Sequence, residues 1–283
     1  MKSKRAILFF LLLPGAVFIL LFTALPFYYM IERSLHKSNY IINVFVGIGN
    51  YIKTFKDPGY REVIGTSFMY AGIICFFSTF IPLIFALMVY DTPKWVQNYT
   101  RFMFFVPGFA SGVIISQVWR WIYQPRVGLI NYLLSFLNIE PIMWMGGRYT
   151  AIIGISLMTI LGNMGVPILV YLSNILSINP ELYDAARIDG ATKLQIKIKI
   201  VIPLLLPSIL LVVLITMATG FFMLGTILMM TGGGYGTSNF MYNIYSEGAL
   251  KRSVGMASAR SAILVVIVLG MAILKRKLEE MKR

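Results

Sequence analysis

The sequence predicts an all-α, polytopic membrane protein with six transmembrane helices, and two observations carry that prediction. The first is composition: 58% of the 283 residues are hydrophobic, 13% are charged, and the mean hydropathy is +0.78. A soluble domain carries roughly a quarter charged residues. The second is pattern: six apolar segments fall at about residues 6–30, 64–90, 102–123, 149–176, 204–230 and 254–274, each long enough to cross a hydrocarbon core of about 30 Å. Such segments must be helical, because lipid offers nothing to an unpaired backbone amide or carbonyl. Six spans and their loops use the whole chain as a single transmembrane domain, residues 1–283, with no room for a separate ATPase or catalytic domain.

The first span follows the basic start MKSKR. Its apolar run continues through Leu25 to Tyr29, which suits a retained anchor better than a cleaved leader. The loop from Ile31 to Val63 mixes aromatics with charges and suits either an interfacial helix carrying Tyr51, Phe55 and Tyr60 at headgroup level or a solvated loop. The second span holds Cys75, the one cysteine, so the chain has neither an intrachain disulfide nor a thiolate zinc cluster. After the third span, Val127–Leu137 reads as a short surface helix with Ile130, Leu133, Leu134 and Leu137 on one face, and Trp144 as an interface anchor. The loop after the fifth span opens TGGGYGTSNF, which predicts an exposed glycine turn; no Gly-Lys-Ser/Thr follows it, so it is not a Walker A loop.

Basic residues orient the chain. With the N-terminus inside, the inner segments hold fourteen: Lys2, Lys4, Arg5, Lys94, Arg101, Arg187, Lys193, Lys197, Lys199, Lys275, Arg276, Lys277, Lys282 and Arg283. The outer loops, which are longer, hold nine: Arg33, Lys37, Lys53, Lys56, Arg61, Arg126, Arg148, Lys251 and Arg252. This bias puts both termini in the cytoplasm. It also accounts for much of the net charge of +14 without a nucleic-acid partner.

Between the fourth and fifth spans lies a polar island, residues 177–203. Asn179 caps a helix that starts at Pro180 and places Glu181 and Asp184 early, where negative charge suits the helix dipole. Gly190 interrupts that helix after Asp189, as a left-handed or tightly turned residue does. A second amphipathic helix runs from Ala191 to Ile202, with Leu194, Ile198 and Val201 on one side, and Pro203 and Pro207 mark the return to the membrane.

Asp184-Ala185-Ala186, then Asp189-Gly190-Ala191, then Ile200 and Pro203, resemble the Glu-Ala-Ala loop of the permease subunits of binding-protein-dependent ABC importers, in their sugar-importing branch. GIGNYIKTFKDPGYREVIGTSF after the first span and the run from Gln124 to Arg148 are similar to the same branch. The chain departs from the pattern in Asp184 for the usual Glu, Lys197 for a common aromatic, and Ile202 for the Leu before the proline. The resemblance implies a cytoplasmic coupling helix between spans four and five that docks on an ATP-hydrolysing partner, through Asp184, Ala185, Ala186, Asp189, Gly190, Ala191 and Pro203. It further implies a second, similar permease subunit, an ATPase dimer that holds the ATP and Mg, and an extracytoplasmic solute-binding protein facing the third outer loop. No cofactor falls to this chain, and the bilayer of a bacterial or archaeal plasma membrane surrounds it.

Enzyme chemistry lacks its parts: His36 is the one histidine, and no acidic residue falls within a span. That also removes the usual proton relay. The spans do carry small and weakly polar faces: Thr159, Gly162, Asn163 and Val166 on the fourth, and Thr216, Thr219, Gly220 and Met223 on the fifth, each at helical spacing. Their positions relative to Asp184 and Pro203 are where the resemblance implies a saccharide pocket. Hydroxyls would meet Asn163 and Thr219, and a sugar face would rest on Phe221 or Phe222. Close helix packing explains the same small residues equally well. Arg120 and Arg260, near span ends, snorkel to water or pair with loops. A secondary transporter, a lipid-active membrane enzyme, or an ABC permease for another solute remain as alternatives.

Overall fold

The computed structural model describes residues 2–39 and 41–280; Lys282 and Arg283, counted above with the inner charges, lie outside the described residues. Among the described residues, sixteen α-helical stretches succeed one another. They are α1 (Lys2–Ile19), α2 (Leu25–Ser34), α3 (Gly49–Lys56), α4 (Pro58–Val89), α5 (Lys94–Phe105), α6 (Gly112–Ile122), α7 (Leu129–Ser135) and α8 (Arg148–Asn163). There follow α9 (Gly165–Leu176), α10 (Pro180–Ile188), α11 (Lys193–Ile196), α12 (Ile202–Leu204), α13 (Leu206–Phe222), α14 (Gly225–Met230), α15 (Phe240–Tyr245) and α16 (Val254–Glu280). One antiparallel ribbon, β1 (His36–Ser38) with β2 (Asn43–Phe45), departs from the all-helical expectation.

Among the described residues, three stretches are long and apolar enough to cross a bilayer unbroken: Leu11–Ser34, Pro58–Val89 and Val254–Leu278. Where the other three spans are expected, the chain forms bent helix pairs rather than single rods. The pair around α5 and α6 turns by 97°, α8 and α9 by 44°, and the helices meeting at Leu205 by 65°. Proline supplies the reason each time. Pro107 sits in a 3-10 turn, Val106–Phe109, after which Ala110 is extended and the Ser111 hydroxyl caps α6 by accepting from the Ile114 amide. Pro167 has no N–H to offer the Asn163 carbonyl four residues earlier, and Pro207 none for Pro203.

The chain forms two compact units. One takes the chain through Arg61 together with Asn243–Ile267. Its centre is polar. Buried Asn50 donates to the Ser34 and His36 carbonyls at 2.9 and 2.8 Å, and the backbone of Gly255 packs against the ribbon so closely that a side chain there would strike the His36 carbonyl. Arg260, 3% exposed, donates to Asp57 at 2.9 Å, Glu247 at 3.0 Å and Asn243 at 2.7 Å, with its guanidinium 4.9 Å from the Tyr60 ring centre. It therefore pairs with loop groups and does not snorkel. Tyr60, expected at headgroup level, is buried beneath that guanidinium; Tyr51 donates to the Ser34 hydroxyl, and only Phe55 of the three points outward.

The other unit takes Glu62–Tyr242 together with the chain from Val268. It has two apolar centres, one around Tyr70, Ile74, Ile152, Ile155 and Ile227, the other around Tyr171, Leu172, Ile175, Val201 and Leu205. The glycine turn after α14 is not simply an exposed loop. Its tip at Tyr235 is exposed, but Thr237 and Asn239 are fully buried, and Asn239 donates to the Gly220 and Phe221 carbonyls. Thr66 donates to the Gly236 carbonyl, and Arg148 bridges Glu62 and Thr66.

The expected surface helix after the third span is shorter than drawn, Leu129–Ser135, and Leu133 and Leu137 are exposed. Its polar residue governs the region. Asn131 donates to the Pro125 and Ile142 carbonyls and accepts from the Ile142 amide and from the indole N–H of Trp144 at 3.0 Å. Trp144 is thus held by Asn131 and by the ring of Tyr123, rather than standing as a free interface anchor. Replacing Asn131 with alanine strips several partners at once and should cost about 2 kcal/mol. An unshifted tryptophan emission and an unchanged melting temperature in that variant would show that the hub is dispensable.

Candidate functional site

Two features of the second unit stand out: the polar island and a cavity among the broken helices. In the island, the Asn179 side chain accepts from the Glu181 amide at 3.1 Å with Pro180 as first helical residue. The C-terminal end of α10 is equally determined. Gly190 has φ +78°, the Ala191 amide donates to the Ala186 carbonyl at 2.9 Å, and the Gly190 amide donates to the Arg187 carbonyl at 3.1 Å. These are the paired bonds of a Schellman motif, which needs a residue comfortable at positive φ in that place. Asp189-Gly190-Ala191 is therefore a stop signal written into three residues. Thr192 then starts α11 with a capping box, its hydroxyl accepting from the Gln195 amide while Gln195 accepts in return.

The face of the second island helix differs from the expected one. Of the three expected residues Val201 is buried, but Leu194 and Ile198 are exposed, and Ile196 is buried in their place. The physical cause is a π-helical turn over Lys197–Val201, which widens the turn to five residues and brings positions 196 and 201 onto the same side. Within α10, Ala186 packs inward, while Asp184 and Arg187 form an exposed ion pair at 3.1 Å, and Ala185, Asp189 and Gly190 face solvent. Ile188 is 85% exposed, an apolar side chain with nothing of this chain over it. Pro203 is exposed at the bend that leads into α13.

A cluster that the sequence reading missed joins the island to the end of α4. Lys197 lies 3.6 Å from Asp91 and 5.2 Å from the centre of the Tyr90 ring, which stacks on Tyr183 at 6.2 Å. Burial, and then the negative charge of Asp91, raise the Tyr183 phenol above its usual range. The tell-tale was Lys197 itself: a lysine where the resemblance leads one to expect an aromatic ring lies over an aromatic ring.

The cavity, of about 410 Å³, lies where all three broken pairs come together. Thr159, Gly162, Asn163, Thr219, Phe222 and Met223 line it, and Gly162, Asn163 and Val166 also border a smaller neighbour of about 190 Å³. The face predicted on the fifth span divides. Thr219 and Met223 reach the cavity, but Thr216 is buried with its hydroxyl donating to the Val212 carbonyl, and Gly220 presses on the backbone of Tyr70 and Ala71. Of the two candidate rings, Phe222 lines the cavity, while Phe221 is fully buried against Phe68 and Phe240.

The lining has a definite hydrogen-bond polarity. The Thr159 hydroxyl donates to the Ile155 carbonyl at 2.8 Å, that of Thr219 to the Ile215 carbonyl at 3.0 Å, and the Asn163 amide to the Thr159 carbonyl at 2.8 Å. Each hydroxyl has therefore given its proton to the helix, leaving lone pairs over, while Asn163 keeps its carboxamide oxygen and one further N–H. No charged residue lines the cavity. What it can hold is a neutral molecule rich in hydroxyl donors.

Residues 92–280 match the model of the family described as "Binding-protein-dependent transport system inner membrane component". The chain is 28% identical over 285 residues to the probable ABC transporter permease protein YurN of Bacillus subtilis, covering 98% of this chain and 97% of that one. It is 27% identical over 293 residues to the trehalose/maltose transport system permease protein MalF of Thermococcus litoralis, covering 100% of this chain and 97% of that one. Its fold is similar to a chain in the crystal structure of a bacterial ABC transporter that imports the acidic polysaccharide alginate, with a TM-score of 0.85 at 22% identity over 98% of this chain and 96% of that one. With two thirds of its length matched by one family model, the chain belongs to the inner membrane components of binding-protein-dependent transport systems.

Proposed function

We propose that this chain forms the translocation path of an ATP-driven importer for a sugar or oligosaccharide. The observation that carries the reading is the uncharged, acceptor-rich cavity where the broken helices meet, which suits a polyol and poorly suits an ion. The relative named for trehalose and maltose points the same way. In this reading a second, similar permease subunit completes the path and an extracytoplasmic binding protein delivers the sugar. An ATPase dimer, holding ATP and Mg, receives the island on the cytoplasmic side, where both termini also lie.

The exposed Ile188, beside the Asp184 and Arg187 pair, supplies the apolar contact such docking requires. Movement of α10 would reach α13 through Ile196, Val201 and Leu205, and α4 through Lys197 and Asp91.

The test is reconstitution with the neighbouring encoded subunits, measuring ATP hydrolysis and sugar uptake with a loaded binding protein. Gly190→Val in the same complex forces a β-branched residue to positive φ, at a cost of about 1–2 kcal/mol, with no steric obstacle to obscure the result. Uptake per ATP should fall about ten-fold. Undiminished coupling in that variant would detach the island from the transport cycle.

A further inference from the structure

A second, larger cavity of about 560 Å³ lies at the far end of the same helices. Helices α6 and α14 run parallel, Gly112 beside Thr226 and the Gln117 amide donating to the Met229 sulfur at 3.7 Å. Both helices line both cavities: Ile115 and Thr226 border the neutral one, Arg120 and Met230 the larger one. Five residues of helix separate Ile115 from Arg120, a rise of about 7.5 Å. By the charge bias of the loops, the larger cavity is the outer one.

Its chemistry differs from that of the inner cavity. Arg120 is the one charged side chain in its lining; it is exposed at the open side of the cavity, and among the described residues no ion pair or hydrogen bond engages its guanidinium. Around it stand Trp121, Trp144 and Tyr235, with Gln117 and Gln124. Every other arginine or lysine lining is absent, whereas Arg148 nearby is already spent on Glu62 and Thr66. Aromatic faces beside polar amides are what a sugar ring needs, and a planar guanidinium binds a carboxylate through two parallel bonds. A lone cation balances one negative charge, which favours a carboxylate over a doubly charged phosphate.

We propose that this outer cavity is a subsite for an acidic sugar unit. Arg120 holds the carboxylate of a uronate while the rings of Trp121, Trp144 and Tyr235 take its apolar face, and the chain of the same saccharide continues into the neutral cavity beneath. The inference rests on the saccharide reading above and sharpens it to oligosaccharides that carry at least one carboxylate.

The experiment uses the assembled importer in lipid nanodiscs and two probes of equal length, galactotriose and the same trisaccharide with one terminal galactose replaced by galacturonate, so that a single carboxylate stands in place of a hydroxymethyl group. Binding is read from the fluorescence of Trp121 and Trp144. The probe with the single uronate should bind about ten-fold tighter. In Arg120→Gln the ratio should fall close to one, in Arg120→Lys part of the preference should return, and salt should weaken only the acidic probe. Trp121→Ala should weaken both probes alike, which separates ring contact from charge.

Equal affinity in the wild type, or a preference that survives Arg120→Gln, overturns the subsite. If that variant instead raises the binding-protein concentration needed to stimulate ATP hydrolysis while discrimination persists, Arg120 serves docking and the subsite is overturned. If neither saccharide binds and neither is imported with ATP, the saccharide reading itself fails. Import of galactotriose without any preference for the acid leaves that reading standing and removes this one alone.

Discussion

Gly220→Val should leave little folded protein. A Cβ at position 220 would lie 2.6 Å from the Ala71 amide nitrogen and from its Cα, and 3.0 Å from the Tyr70 carbonyl carbon. These are backbone atoms in the middle of α4, so no side chain can rotate away and one of two long helices must move. Overpacking of that kind costs about 3 kcal/mol or more. The movement would also pull the Gly220 and Phe221 carbonyls from buried Asn239, adding unpaired polar groups to the loss. Gly72→Ala on the same α4 meets nothing within 4 Å and serves as the control. Monodisperse yield in detergent and the melting temperature are the measurements. A Gly220→Val protein that purified and melted like the parent would mean that α4 and α13 do not approach as closely as described.

Arg260→Met should be nearly as damaging, for an electrostatic reason. The substitution keeps the length of the side chain but abandons Glu247, whose side chain is 9% exposed, and takes a partner from Asp57 and Asn243. Breaking a buried pair by removing one member costs about 3–5 kcal/mol, because the surviving charge stays out of water. Here the lower end applies: Lys251 also reaches Glu247, and Asp57 is 41% exposed and keeps its hydration. The companion change Glu247→Met should restore most of the loss when combined with Arg260→Met, since an apolar pair replaces an orphaned charge. Thermal unfolding of the two single variants and the double variant decides it. Simple additivity of the two single effects would show that the residues act independently.

The sequence carried the apolar segments and the island because both rest on local physics. Proline at the first helical position, the Asn179 cap and the Gly190 stop are statements about a few adjacent residues, and the structure has each of them at its place. What it did not carry was anything decided by distant neighbours. Hydropathy averages over a window, so the bends at Pro107, Pro167 and Pro207 disappear into otherwise apolar runs. The π turn over Lys197–Val201 shifts the inward face by one position, a shift that a fixed helical period cannot express. Thr216 and Thr219 look equivalent on paper, yet only Thr219 reaches the cavity, because α4 occupies the side that Thr216 and Gly220 share. Asn131, Asn50 and Asp91 drew no notice at all: a polar residue in a loop looks solvated until its partners, often far along the chain, are known.

The breaks in the helices have one more implication. Where a helix ends, its terminal amides and carbonyls lose their partners, and inside an apolar protein such backbone is tolerated only where it is buried or borders a cavity. Pro107, Gly108 and Ala110 from one break, Gly162 and Asn163 from the second, and Phe222 and Met223 at the far end of α13 all border the inner cavity. Part of the wall is therefore set by where each helix stops, beside the side chains of Thr159, Asn163 and Thr219 that also line it. A change that moves a helix end reshapes that wall as surely as one that alters a lining side chain.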